Sequence, residues 1–293
     1  MLEKNQAEGV MSQVLRVARA ALHEWEEPCI SGKRGSGAIF FSGCVLRCVF
    51  CQNRQISAEG CGKTITPDML AEIMLSLQKQ GAHNINLVTP THFTEGIRNA
   101  LILAKERGLG LPVVYNCGGY EEVRALRTLE GLIDVWLPDF KYLSAELSSR
   151  YSQKADYPER AKKALAEMVR QAGTCRYDED GLMTTGVLVR HLVLPGHTKE
   201  AKAVLRFLFD EYGNRIAYSI LNQYTPMPYV AAHAPELNRR LTKREYGRVV
   251  SYAMALGIEN GYLQEGEAAK ESFIPMFDGT GVPIGNDCDG KFA

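Results

Sequence analysis

Six short runs rich in Val, Ile, Leu and aromatic residues recur along the chain, most of them followed by a capped amphipathic helix. They are Ala38–Ser42, Asn84–Thr89, Pro112–Asn116, Asp134–Asp139, Val187–Leu194 and Ile216–Asn222. Near-continuous apolar runs suit strands buried on both faces, and strands alternating with helices build a parallel sheet with helices outside it. Between the runs, Thr66-Pro67 caps a helix with the stripe Leu70, Ile73, Met74 and Leu77, and Gly81 stops it. Thr94 opens a helix ending at Gly108, Asp156 one ending at Gly173, and Thr198 one ending at Gly213. Upstream, Val14, Val17, Ala18, Ala21 and Leu22 share one face of an expected N-terminal helix.

Such a sheet can close in two ways, as an open doubly wound sheet or as a partial barrel. No run opens onto G-x-G-x-x-G, so the dinucleotide-binding version has no support. The expected fold class is therefore α/β, a partial (β/α)6 TIM-like barrel over residues 36–260. A helical lead-in over 1–35 precedes it, and a C-terminal tail over 261–293 packs on or near it. The long gap from Phe140 to Gly186 holds a helix and the polar turn Asp178-Glu179-Asp180-Gly181, the sign of an insertion.

Basic and acidic side chains number 34 each, so the chain lacks the cationic excess that nonspecific nucleic-acid or anionic-membrane binding needs. The most apolar stretch, Ala38 to Phe50, is interrupted by Ser42, Gly43, Arg47 and two cysteines, too soon for a membrane span. Glu3 and Glu8 and the lack of an apolar core do not read as a secretion signal, so the cytoplasm is the default location. Thiols stay reduced there, and eight cysteines need another explanation.

Cys29, Cys61, Cys117, Cys175 and Cys288 are scattered. Cys44, Cys48 and Cys51 form C-x3-C-x2-C in the loop after the first strand. Three thiolates this close suit a zinc with a fourth ligand elsewhere, or a [4Fe–4S] cluster with one iron lacking a protein thiolate. A structural zinc wants a second local pair, and no other C-x-x-C or H-x3-H exists. Cys61, the nearest downstream, carries no ferredoxin-type motif. An iron left open is a site for a chelating ligand, and three unligated thiols are the plain alternative.

The spacing, with an aromatic before the third cysteine, resembles the signature of the radical S-adenosylmethionine (SAM) superfamily. The segments Gly37–Ser57, Leu87–Phe93, Val114–Tyr120, Leu137–Tyr142, Arg190–Gly196 and Gln223–Pro226 are similar to an uncharacterised branch related to pyruvate formate-lyase activating enzymes. The resemblance implies that Cys44, Cys48 and Cys51 hold three irons of a single cluster, the fourth being chelated by SAM. It implies reductive cleavage of SAM to a 5′-deoxyadenosyl radical that abstracts hydrogen from a substrate. A glycyl residue of a partner enzyme is the first expectation for that substrate, and another peptide or a small molecule the second. It further implies a single-electron donor such as flavodoxin or ferredoxin, while the balanced charge and the broken apolar stretch argue against a nucleic-acid or membrane partner. The rival from another class is a non-catalytic zinc or iron–sulfur binding module.

In a β/α barrel the site lies at the C-terminal strand ends. Polar residues accumulate there: Thr89, Thr91 and His92, then Asn116, then Asp139 and Lys141, then Arg190, and finally Gln223. By similarity, Asp139 and Lys141 match the family's Asp-x-Lys, Arg190 the Arg before its Pro-Gly turn, and Asn53 the Asn beyond the third cysteine. Phe50 stands where an aromatic adjoins the adenine. Thr89-Pro90-Thr91-His92 replaces the usual Gly-Gly-Glu-Pro, and Tyr115-Asn116-Cys117-Gly118 replaces Asp-Thr-Asn-Gly. No residue is singled out as acid, base or nucleophile. His191 is expected to face the helices, and His23, His83 and His233 the solvent. His197 and Cys117 lie beside the expected site, with ordinary structural roles as the commoner reading.

Overall fold

Each of the six apolar runs forms a parallel strand in a computed structural model that describes residues 14–263 and 275–283. In chain order the strands are β1 (Leu15–His23), β2 (Ser36–Phe41), β3 (Lys63–Ile65), β4 (Ile85–Val88) and β5 (Val113–Cys117). They continue as β6 (Val135–Pro138), β7 (Arg176–Tyr177), β8 (Met183–Leu192), β9 (Ala217–Leu221) and β10 (Gly261–Leu263). The longer helices are α1 (Pro67–Lys79), α2 (Thr94–Glu106), α3 (Val123–Thr128), α4 (Ala145–Ser152), α5 (Tyr157–Ala172), α6 (Thr198–Tyr212) and α7 (Lys243–Leu256).

The strands lie in the order β10-β9-β8-β6-β5-β4-β2-β1-β3, with β7 paired to β8 off this path. From β2 to β10 every pair on the path is parallel, whereas β1 pairs antiparallel with both β2 and β3. The path does not return on itself, so the sheet is an incompletely closed barrel. Alternate residues of each strand divide it into two layers. Ile39, Leu87, Tyr115, Trp136 and Val189 meet the helix stripes in the main core. Val114, Val135, Leu137, Leu188 and Ala217 face the concave side, where Cys29 and Ile30 form a floor beneath them. No helix among the described residues is long and apolar enough to cross a membrane.

Three expectations need correction. The lead-in expected to be helical forms β1 instead. A bulge between Val17 and Arg19 in its pairing with β2 puts Val17 and Ala18 side by side in the interior. The break turns a two-residue alternation into spacings that mimic a helical stripe. The expected tail starts as a further parallel strand, β10, against β9. Asp156 occupies the cap position of α5, but its carboxylate accepts from Tyr120 Oη at 2.7 Å rather than from the helix backbone.

The other expected helices begin where the sequence places them, although Phe93 and His197, rather than Thr94 and Thr198, hold the cap positions of α2 and α6. Thr66 Oγ1 accepts from Met69 N at 3.2 Å at the start of α1. The gap between β6 and β8 is filled by α4, α5 and β7, with the Asp178 carboxylate closing the turn onto Asp180 N and Leu182 N. Residues 275–283 run beside β1, where Ala20 N donates to Thr280 O at 2.9 Å and Gly279 N to Ala18 O at 3.0 Å. The first thirteen residues, Glu3 and Glu8 included, the rest of the tail and Cys288 lie outside the described residues.

Candidate functional site

The cysteine loop leaves β2 through Gly43, whose φ of +92° favours glycine. A Cβ there would also press on the His92 ring at 2.9 Å. Beyond the turn, Val49 N donates to Tyr151 O at 2.8 Å and Cys51 N to Cys48 O at 3.1 Å, while Leu46 and Phe50 are buried as anchors. Cys44, Cys48 and Cys51 thereby line one cavity of about 250 Å³ at the C-terminal ends of the parallel strands. Cys48 Sγ lies 3.0 Å from Ser152 Oγ, itself 2.9 Å from Tyr142 Oη, and Cys51 Sγ lies 3.3 Å from Ser57 Oγ. Burial, with Cys48 adding to it, pushes the Cys44 thiol up to about 12. Three thiolates together would need a cationic centre to offset their desolvation and repulsion. Among the described residues no three His, Cys, Asp or Glu side chains are gathered tightly enough for a single metal ion.

Opposite the thiols, the strand ends carry a buried charge network. Asp139 and Arg190 are brought together by a bridge that extends the β6–β8 ladder, with Phe140 N donating to Arg190 O at 2.8 Å. Arg190 Nε donates to Asp139 Oδ1 at 3.0 Å, one terminal nitrogen to Asn116 Oδ1 at 2.6 Å, and the other to Glu26 Oε2 at 3.3 Å. Lys141 Nζ donates to Asp139 Oδ2 at 2.6 Å. Burial alone would push the Asp139 carboxyl up, but the Arg190 and Lys141 cations hold it below the usual carboxylate range. Glu26 moves the other way, because its burial outweighs the Arg190 cation.

Two residues outside the cavity chemistry hold this end in register. Tyr157 Oη donates to Gly118 O at 2.9 Å and accepts from Lys141 N at 2.9 Å, tying the ends of β5 and β6 together. Gly119, at φ +79°, lets the Asp139 carbonyl come so close that a Cβ there would strike it. At the end of β4, Thr89 takes the left-handed conformation at φ +59°, rare for a β-branched residue, while its N–H donates to Asn116 O at 2.8 Å.

Of the residues expected to contact a cofactor, Phe50, Asn53, Thr89, Asn116, Asp139, Lys141, Arg190 and Gln223 line the cavity with the three cysteines. Thr91 and His92 do not. After the left-handed turn at Thr89 the chain passes over the outer side of the sheet. There Thr91 Oγ1 donates to Glu121 Oε1 at 2.8 Å, and His92 packs on Gly43 and Phe93.

His191 points to the helix side, its Nδ1 2.7 Å from Phe140 O, and His197 Nε2 is 2.9 Å from Tyr151 Oη. His83 is partly buried against Arg34, and His233 stacks on Tyr229 at the surface. His23, expected at the surface, lines the cavity mouth edge-on to Phe40. Cys117 lines the cavity and is 3% exposed. Trp25 and Glu26 were not expected there, since the segment before β2 read as the close of a helix. The one available signal was the acidic pair Glu26-Glu27 placed directly before Pro28.

A family model described as the radical SAM superfamily matches residues 38–208, more than half of the chain. An uncharacterized protein of Methanocaldococcus jannaschii is 31% identical over 229 residues, 74% of this chain and 62% of its own length. Streptococcus suis SuiB bound to S-adenosylmethionine superposes with a TM-score of 0.54 at 13% identity, covering 77% of this chain and 49% of SuiB. SuiB bound to the precursor peptide SuiA gives 0.54 at 15% identity, over 77% of this chain and 47% of SuiB. The chain thus spans about half of SuiB and 62% of the archaeal relative. The chain belongs to the radical SAM superfamily, whose cofactors are a [4Fe–4S] cluster and S-adenosylmethionine.

Proposed function

We infer that this chain is an enzyme that cleaves S-adenosylmethionine reductively and uses the resulting 5′-deoxyadenosyl radical to take hydrogen from a peptide or protein substrate. The observation that carries this reading is one cavity in which three cysteine thiols face a buried Asp–Lys–Arg–Asn network. The donor set of Cys44, Cys48 and Cys51 fits three irons of a cluster and leaves the fourth for a chelating ligand. When bound and reduced, by flavodoxin, ferredoxin or a comparable donor, that cluster supplies the electron for cleavage. A purely structural zinc or iron–sulfur module would have no need of the opposing charge network.

The protein's own residues bind, orient and exclude water. Lys141 reaches the thiol side of the cavity and has a single carboxylate partner, Asp139. It is the cation best placed to receive a ligand carboxylate. Arg190 already donates to three side chains, so it serves as a positioning residue that fixes Asp139, Asn116 and Glu26. Phe50 offers an apolar wall, packed edge-on against Tyr224 at 6.3 Å.

Two versions of the substrate fit the open barrel. In the first the chain resembles the pyruvate formate-lyase activating enzymes and takes hydrogen from a partner's glycyl residue. In the second it modifies a peptide, a reading favoured by the likeness to SuiB bound to a precursor peptide. Anaerobic reconstitution with iron and sulfide should give a [4Fe–4S] spectrum and, after reduction, 5′-deoxyadenosine from SAM. Cys48→Ala should lose both together. A wild-type protein that forms the cluster yet never yields 5′-deoxyadenosine would end the enzyme reading. Deuterated candidate substrates separate the two versions by which one passes label to 5′-deoxyadenosine.

A further inference from the structure

Two buried hydroxyls form a chain that ends on one of the cavity thiols. Ser152, fully buried at the last position of α4, has its Oγ 3.0 Å from Cys48 Sγ. Tyr142, 1% exposed, has its Oη 2.9 Å from the same Ser152 Oγ. Neither residue lines the cavity that holds the thiol. One turn earlier the equally buried Ser148 spends its hydroxyl within the helix, on Ala145 O at 3.2 Å. Ser152 bonds across to the cysteine loop instead.

Backbone contacts fix that placement. Arg47 N donates to Ser152 O at 3.4 Å and Val49 N to Tyr151 O at 2.8 Å, so the end of α4 is clamped to the residues on either side of Cys48. The direction of the chain follows from ligand chemistry. A metal-bound cysteine is a thiolate, and a thiolate only accepts. Ser152 then donates its one proton to Cys48 Sγ and accepts from Tyr142 Oη, which satisfies both buried hydroxyls at once. The corresponding partner of Cys51, Ser57 Oγ at 3.3 Å, is partly exposed, so water can take its place.

We propose that Ser152 is a positioning residue that, held by Tyr142, donates to the Cys48 thiolate and raises the reduction potential of the cluster. This role rests on the reading that Cys44, Cys48 and Cys51 bind a [4Fe–4S] cluster. One electron from a flavodoxin- or ferredoxin-type donor takes the cluster from the 2+ to the 1+ state, and the hydroxyl protons stay where they are. Electron density on the ligand sulfurs rises, so a fixed donor stabilises the reduced state more than the oxidised one. Burial keeps water from supplying the same bond, and the low local dielectric strengthens it.

The test is potentiometric titration of the full-length, anaerobically reconstituted protein without SAM, followed by the EPR signal of the reduced cluster. Ser152→Ala should lower the ratio of reduced to oxidised cluster at a fixed potential by about tenfold, a midpoint about 59 mV more negative. Tyr142→Phe keeps the serine but removes its donor, and should lower the same ratio by about threefold. The double variant should match the midpoint of Ser152→Ala, because the tyrosine acts only through the serine. It should also melt higher than Ser152→Ala, which leaves the Tyr142 hydroxyl buried and unpaired. A Ser152→Ala midpoint equal to that of the wild type, or more positive, overturns the proposal even where the variant melts earlier. Should Ser152→Ala fail to fold or to take up the cluster, an unchanged midpoint in Tyr142→Phe does the same. A wild-type protein that forms no [4Fe–4S] cluster ends the cluster reading and this role with it, whereas a wild-type cluster with unmoved variant midpoints ends this role alone.

Discussion

Arg190 shows why a residue matched to a family motif can act differently from its first reading. Its guanidinium is 15% exposed and already held by Asp139, Glu26 and Asn116. Removing it leaves the buried Glu26 carboxylate without a cation and Asp139 with Lys141 alone, so Arg190→Ala should destabilise the fold by about 3 kcal/mol. Lys141→Gln keeps the Arg190–Asp139 pair and should instead weaken SAM binding with a smaller loss of stability. Parallel melting and SAM-titration curves on the two variants check this. A lysine variant that binds SAM normally removes Lys141 from the site. Thr89 offers a second case. Its left-handed backbone costs a β-branched residue roughly 1–2 kcal/mol, whereas glycine adopts it freely but loses more entropy on folding. Thr89→Gly should therefore gain up to about 1 kcal/mol, read as a rise in the midpoint of chemical denaturation.

Asn116, Asp139 and Arg190 were legible in the sequence because each sits at or inside an apolar run, and Lys141 because it follows one by two residues, where the strand's direction dictates which end a side chain reaches. Glu26 was not. It precedes β2 and enters the cavity from the opposite end of the chain's path, a long-range placement that no local pattern encodes. Thr91 and His92 misled for the converse reason. They follow a strand, but one left-handed residue turns the backbone outward before they are reached.

At the scale of elements, the long parallel strands and their helices followed from local pattern, because burial on both faces and clear caps leave few alternatives. The edges did not. β1 is bulged and β10 is three residues long, so neither carries a clean period, and both exist through the neighbours they pair with. Helix α5 has a testable electrostatic anchor. Glu167 is 5% exposed and accepts from Arg170 and Gln171 one turn on, with Arg127 of α3 at 3.5 Å. Hydrogen bonding to Arg170 holds its carboxyl down at about 2, against a usual value of 4.5. A depressed folded-state pKa contributes stability that is present above pH 4.5 and is lost as pH falls towards 2. With Arg170 half exposed, the contribution is about 1 kcal/mol or less. Glu167→Gln should therefore lower the melting temperature at pH 7 and show a shallower decline than wild type between pH 5 and pH 3. Equal slopes in the two proteins would show that this carboxylate is not an acid-sensitive tie.

At the scale of the molecule, an incomplete barrel must protect an edge and a mouth that a closed one would not have. One short segment serves both here. Residues 278–280 hydrogen-bond along β1, so the strand that β3 leaves half covered is not open to another chain. Next to them, Phe277 inserts beside Phe40 at 5.5 Å between ring centroids and joins Ala38, Ile56 and Val88, the apolar cluster that lies against the cysteine cavity. Pro275 lines that cavity directly. The segment thus couples edge protection to the shape of the site, and Phe277→Ala should affect both. Loss of a side chain that is 7% exposed predicts a cost of about 3 kcal/mol. Because Phe40 and Val88 line the cavity, SAM affinity should fall as well, while the cluster spectrum should be retained if Cys44, Cys48 and Cys51 are its ligands, as proposed. Phe277→Leu refills most of the volume and should restore both properties in large part. A variant that loses stability but binds SAM as wild type would show that the tail guards the edge alone and leaves the cavity to the barrel.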